Sequence, residues 1–278
     1  MEILKYIVLG IIQGLTEPLP VSSSGHLLIF KNLFNTNMFN DLNFEIIVNF
    51  ASFMAIFFIF RKDIIKLVKG FFSYLFTKDD GTKENTEILK RTKFDFKYCL
   101  LIVIGSIPVG ITGILFKDIL EDKLTSIKVV GFALLITALA LIIVRNIKGP
   151  KKDKDITYFD ALVIGLLQAI TIIPGISRSG TVLVGCLLRN LDRETALKYT
   201  FMLYFPPSIA SMILGVKDII SAGNLSSILL PYTLGFIASL IVTYFAYKWL
   251  SELVKKGKLW KFSIYCIIMG LFTIIYFW

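Results

Sequence analysis

The sequence predicts an all-α, polytopic membrane protein: an inverted-topology repeat with about six transmembrane helices and two re-entrant helix-turn-helix pairs. Three observations carry this. Of 278 residues, 55% are hydrophobic and only 18% charged, and the mean hydropathy is +0.74. The apolar residues lie in long blocks, as crossings of about 20 residues require. Next, residues 8–29 (VLGIIQGLTEPLPVSSSGHLLI) and 163–184 (VIGLLQAITIIPGISRSGTVLV) align without a gap. Val8, Gly10, Gln13, Thr16, Ser22, Ser24, Gly25 and Leu28 each meet their own residue type 155 positions later. Finally, the basic residues are sorted by loop.

Taken in order, residues 2–15 and 22–31 are apolar pieces too short to cross alone, separated by TEPLPVS. Pro18 and Pro20 lack amide donors and disfavour helix across the break. The expected form is helix, irregular turn, helix, entering and leaving on one side. Residues 44–60 read as a crossing, 61–97 as a polar loop with ten basic and six acidic residues, and 98–116 and 126–144 as two further crossings. KGPKKDKDIT, residues 148–157, divides the repeats 1–147 and 158–278 within one membrane domain. A second broken pair at 161–189 follows, then crossings at 200–216, 231–250 and 262–278. KDII recurs at 62–65 and 217–220 with the same offset, and Gly105 aligns loosely with Gly235. Pro108 and Pro206-Pro207 are places where a crossing could break.

Three crossings per half is an odd number, so the halves insert upside down relative to each other. Loops 61–97, 145–160, 189–198 and 251–261 fall on one side and hold 22 of the 30 basic residues; the opposite side holds six. The Lys/Arg rule makes the first side cytoplasmic and both termini external, with 118–123 also outside. That sorting explains the net charge of +10 without a nucleic-acid partner. Cys99, Cys186 and Cys266 lie in apolar blocks with no metal or disulfide spacing. A cleaved leader is not expected, since cleavage would destroy the first copy of the repeat. Tyr98, Trp249, Trp260 and Trp278 are expected as interfacial anchors. Glu45 is read as an unremarkable charge near the outer interface.

The chemistry is expected in the broken pairs. Gln13 and Glu17, four apart, share a helix face. A carboxylate in apolar surroundings needs a partner or a proton. Ser22, Ser23 and Ser24 bring hydroxyls and free helix N-terminal amides, Gly25 allows close approach, and His26 follows. The second turn repeats this with Ser177, Ser179, Gly180 and Thr181, and adds Arg178, suited to bidentate phosphate contact. The plainer alternatives are Glu17 as a structural partner of Arg178 and His26 as a hydrogen-bonding filler. Ser22, Ser24, Ser177 and Ser179 repeat one another and read as caps; Gln168 and Thr171 repeat Gln13 and Thr16 and read as scaffold. Ser23 differs, because its counterpart is Arg178. Two function classes survive: a hydrolase of a lipid-borne phosphate, and a secondary transporter or flippase for an anionic or phosphorylated substrate.

At QGLTE (Gln13–Glu17), PVSSSGH (Pro20–His26) and PGISRSG (Pro174–Gly180), the chain strongly resembles the undecaprenyl-diphosphate phosphatase family of bacitracin-resistance type. The resemblance implies hydrolysis of undecaprenyl diphosphate to undecaprenyl phosphate and inorganic phosphate, recycling the lipid carrier of cell-wall synthesis. It implies a multi-pass protein of the bacterial plasma membrane, acting on a polyprenyl diphosphate lipid in the bilayer, with its site opening outward; a homodimer is compatible with it. It implies a divalent cation, Mg2+ or Ca2+, at Glu17 and Gln13, and catalysis by Ser23, His26, Glu17 and Arg178. Substrate contacts would come from Gln13, Ser22, Ser24, Gly25, Pro174, Gly175, Ser177, Ser179 and Thr181. Thr181 departs from the family's Thr spacing, and Gln13 supplies one carboxylate fewer than its alternative, Glu. The preferred route has Ser23 attacking with His26 as base; the rival makes His26, or water it activates, the attacking group.

Overall fold

The structure, a computed structural model, describes residues 2–34, 42–116, 126–221 and 225–277. Among them the chain is all helical. The order is α1 (Glu2–Thr16), α2 (Ser23–Phe34), α3 (Leu42–Phe76), α4 (Lys83–Leu115), α5 (Ile127–Val144), α6 (Tyr158–Ala169), α7 (Arg178–Leu188), α8 (Arg193–Ser221), α9 (Leu225–Lys255) and α10 (Trp260–Tyr276). Four helices are long and apolar enough to cross a membrane, at Phe44–Phe76, Lys83–Leu115, Ile127–Val144 and Leu229–Lys255. Their outward faces carry large apolar side chains such as Ile107, Ile114, Leu139, Ile143, Ile241 and Phe245. Such a surface suits lipid and would be costly in water. This is a polytopic membrane fold. The expected outer turn at 118–123 and Trp278 lie outside the described residues.

Both expected breaks are present. α1 stops at Thr16, where Pro18 and Pro20 follow, and α2 starts at Ser23. α6 stops at Ala169, followed by a tight turn at Ile170–Ile172, and α7 starts at Arg178. Each second helix is capped by the serine before it. Ser22 Oγ accepts from the Gly25 amide at 3.3 Å, and Ser177 Oγ accepts from the Gly180 amide at 3.1 Å. Ser22···Ser24 and Ser177···Ser179 hydroxyl contacts of 3.4 and 3.3 Å complete matching turns.

The turns interlock. Ser179 Oγ donates to the Leu19 carbonyl at 3.0 Å, and a Cβ on Gly25 would meet Gly175 Cα at 3.1 Å. Gly175 has a φ of +95°, and its missing Cβ leaves room for Val130 and Ala133 of α5. The Ser177 amide donates to Thr137 of the same helix at 3.2 Å. The first helix of each broken pair also meets a longer helix through glycine. Gly10 of α1 lies against the Gly235 backbone of α9, and Gly165 of α6 lies against the Gly105 backbone of α4. Small residues let membrane helices approach closely enough for backbone contact.

Three expectations are corrected. Residues 61–97 are not an extended polar loop: α3 runs on to Phe76 and α4 begins at Lys83. Phe71 and Tyr74 stack on Phe96 at 5.1 and 4.5 Å, so aromatic packing continues the helices as a hairpin beyond Arg61. Pro108, Pro206 and Pro207 break nothing, lying inside α4 and α8. Tyr98 is no interfacial anchor; it is 1% exposed and packs edge-on to Tyr199, whereas Trp249 and Trp260 are about half exposed. Cys186 and Cys266 are buried and free, and Cys99 is partly buried and free. The 148–157 stretch is tied down: Asp160, fully buried, pairs with Lys151 at 3.0 Å and Arg189 at 2.7 Å.

Candidate active site

The interlocked turns open onto a cavity of about 180 Å³. Its walls come from α1, both turns, α3 and α8. Glu17 is the hub: its Oε2 accepts from Ser23 Oγ at 2.5 Å and from Gln13 Nε2 at 2.9 Å. Gln13 also donates to Asn49 Oδ1 on α3. Since both acceptors face the amide nitrogen, Gln13 Oε1 is the unengaged end, and it is buried with no hydrogen-bond partner among the described residues. In the same cavity wall, the Arg178 side chain lies over the Tyr204 ring, 5.9 Å from its centroid, and Nη1 reaches Ser208 Oγ at 3.4 Å. Among the described residues this is its only hydrogen bond, and no ion pair joins it to Glu17. The rest of its donor fork can take an anion. Ser23 and Arg178 are the first residues of α2 and α7, so two helix N-termini with unpaired amides face one space.

The cavity thus unites Gln13, Glu17, Ser22, Ser23, Ser24, Ser177, Arg178 and Ser179. His26 stands apart. It does not line the cavity, and its ring is buried against Tyr265 of α10. Nδ1 lies 2.7 Å from the Ser22 carbonyl, so it must donate; Nε2 is engaged by the Tyr265 hydroxyl at 2.7 Å. With both nitrogens occupied, the His26 ring does not meet Ser23 in this arrangement, whereas the Glu17 carboxylate is hydrogen-bonded to it. Gly25, Pro174, Gly175 and Thr181 do not line the cavity either. The glycines permit the close approach of the turns, and the Thr181 amide closes the first turn of α7 on Ser177.

Sequence reading missed several wall residues, among them five polar ones: Glu45 and Asn49 of α3 and Tyr204, Ser208 and Ser211 of α8 all line the cavity. The four-residue spacing of Glu45 and Asn49, echoing Gln13 and Glu17, was the available signal. For Tyr204 and Ser208 there was none, because only the fold brings α8 to the site. The residues also fit the implied cation. Among the described residues no three His, Cys, Asp or Glu side chains cluster. Still, Glu17 and the unpartnered Gln13 Oε1 are oxygen donors, the type hard divalent ions take.

Fold and site define a class: a multi-helix membrane protein whose buried cavity pairs a serine–carboxylate couple with an arginine and two helix N-termini. Such a site is built for the oxygens of a charged ester. The family model described as bacitracin resistance protein BacA matches residues 6–272, and this chain belongs to that family. Among its relatives, undecaprenyl-diphosphatase 1 of Bacillus cereus is 43% identical over 274 residues, covering 99% of this chain and 97% of its own. The undecaprenyl-diphosphatase of Oceanobacillus iheyensis is 41% identical over 279 residues, covering 99% and 96%.

Proposed function

We propose that the protein hydrolyses undecaprenyl diphosphate to undecaprenyl phosphate and inorganic phosphate within the bacterial plasma membrane. The observation that carries the mechanism is the Ser23–Glu17 hydrogen bond, in the same cavity wall as Arg178. Ser23 Oγ attacks the terminal phosphorus while Glu17 takes its proton. The anhydride P–O bond breaks, and undecaprenyl phosphate leaves. Arg178 and the N-terminal amides of α2 and α7 hold the phosphoryl oxygens as charge develops. Water then displaces serine from phosphorus, and Glu17 returns the proton to Oγ. Glu17 and Gln13 Oε1 would hold a divalent cation, which when bound offsets phosphate charge.

Purified protein in detergent should release phosphate from a polyprenyl diphosphate, and chelation should stop it until Mg2+ or Ca2+ is restored. Movement of the intact lipid or another anion across liposomes without phosphate release would favour transport instead.

We further read the chain as six crossings (α3, α4, α5, α8, α9, α10) and two re-entrant pairs in inverted halves. The reciprocal contacts Gly10–Gly235 and Gly165–Gly105 support this, because each broken pair rests on the other half's crossing. The charge sorting then turns the cavity outward. Gly81 sits at the exposed tip of the α3–α4 hairpin. With the native cysteines replaced, Gly81→Cys should react with an impermeant maleimide only after cells are permeabilised. Labelling in intact cells would reverse the orientation.

A further inference from the structure

Glu45 sits in the cavity wall, where the sequence alone placed it at the membrane interface. Glu45 and Asn49 share a face of α3, as Gln13 and Glu17 share a face of α1, and all four line the cavity. Gln13 Nε2 joins the pairs by donating to both Glu17 and Asn49. This leaves Gln13 Oε1 fully buried, lining the same wall, with no donor among the described residues to satisfy it. A buried carbonyl oxygen among further oxygens is poorly placed to find a protein donor but well placed to meet a cation. Glu17 alone brings one negative charge to a doubly charged ion. Glu45 is the other carboxylate in the wall, and its partner is Lys31 of α2 at 3.0 Å.

We propose that Glu45 is a ligand of the divalent cation, supplying from α3 the carboxylate that Gln13 cannot supply from α1. Lys31 is its counter-ion while the cation is away. The proposal rests on the reading that the reaction uses a cation. The coordination set is then Glu17, Glu45 and the amide oxygens of Gln13 and Asn49, all uncharged or anionic oxygen donors of the kind Mg2+ and Ca2+ prefer. A cation arriving at Glu45 displaces the Lys31 ammonium. The two positive groups therefore compete for one carboxylate, and this gives the variants opposite signs.

The test is Mn2+ binding to the full-length protein in detergent without substrate, read by electron paramagnetic resonance, with thermal unfolding confirming that each variant is folded. Wild type should bind. Glu45→Gln should weaken binding by roughly tenfold or more, since affinity follows the charge count of the ligands. Glu45→Asp should recover part of it. Lys31→Met, which removes the competitor, should bind as tightly as wild type or tighter. If Glu45→Gln binds like wild type while Glu17→Gln does not, Glu45 is only a rim ion pair and the cation reading stands without it. Equal losses in Glu45→Gln and Lys31→Met would likewise make the pair structural and overturn the proposal. A wild-type protein that binds no Mn2+ would refute the cation reading itself, and this assignment with it.

Discussion

Ser23→Ala should lower phosphate release at least about a thousandfold, corresponding to roughly 4 kcal/mol of lost transition-state stabilisation. Its Oγ is an oxygen already hydrogen-bonded to a carboxylate that can take its proton. Glu17→Gln should be impaired to a comparable degree, because an amide can accept a hydrogen bond but cannot serve as the base. Residues that act as one unit lose activity together, so the double variant should be scarcely worse than either single one. His26→Ala separates the two candidate bases. Its ring is buried and bonded at both nitrogens, so its loss should lower thermal stability while the folded protein keeps most of its turnover. The measurements are initial rates of phosphate release beside unfolding curves. Turnover of Ser23→Ala near wild type, or a phosphoryl adduct trapped on His26, would return the reaction to the histidine route.

Arg178 carries the second large effect. Arg178→Ala should cost about a hundredfold in rate, as expected for charge-assisted contacts of about 3 kcal/mol. Arg178→Lys should recover little, because a point ammonium cannot span two phosphoryl oxygens as the planar fork does. Since the guanidinium's one hydrogen bond among the described residues is a 3.4 Å contact with Ser208, beside its place over the Tyr204 ring, both variants should fold normally. A folded Arg178→Ala with near wild-type phosphate release would remove α7 from the reaction.

Much of the fold was legible because the bilayer leaves few choices. Apolar block length, proline breaks and loop charge located α1, α2, α6 and α7 to within a few residues. The α3–α4 hairpin was not legible: its charges mark exposure to water, but its helices persist through Phe71, Tyr74 and Phe96, whose partners lie in the other helix. Of the site, Glu17, Ser23 and Arg178 stood out as polar residues in an apolar repeat that differed between its copies. His26 stood out for the same reason, but being the one histidine says nothing about which way its ring turns, and it turns toward Tyr265. Glu45, Asn49, Tyr204 and Ser208 lie on other helices, and their meeting depends on packing no local pattern records.

The glycine crossings also bear on when the protein can come into being. Gly10 rests on Gly235, about 225 residues further along the chain. A ribosome adding roughly 5–20 residues per second needs about 10–45 seconds to reach that partner. Until then α1 has no mate for its small-residue face, and its buried Gln13 end must be shielded by the insertion machinery or by lipid. The cavity cannot close before α8 arrives, so a chain stalled earlier carries Ser23 and Glu17 but no assembled site. Biogenesis itself keeps Ser23 and Glu17 apart from Arg178 until most of the chain has been made.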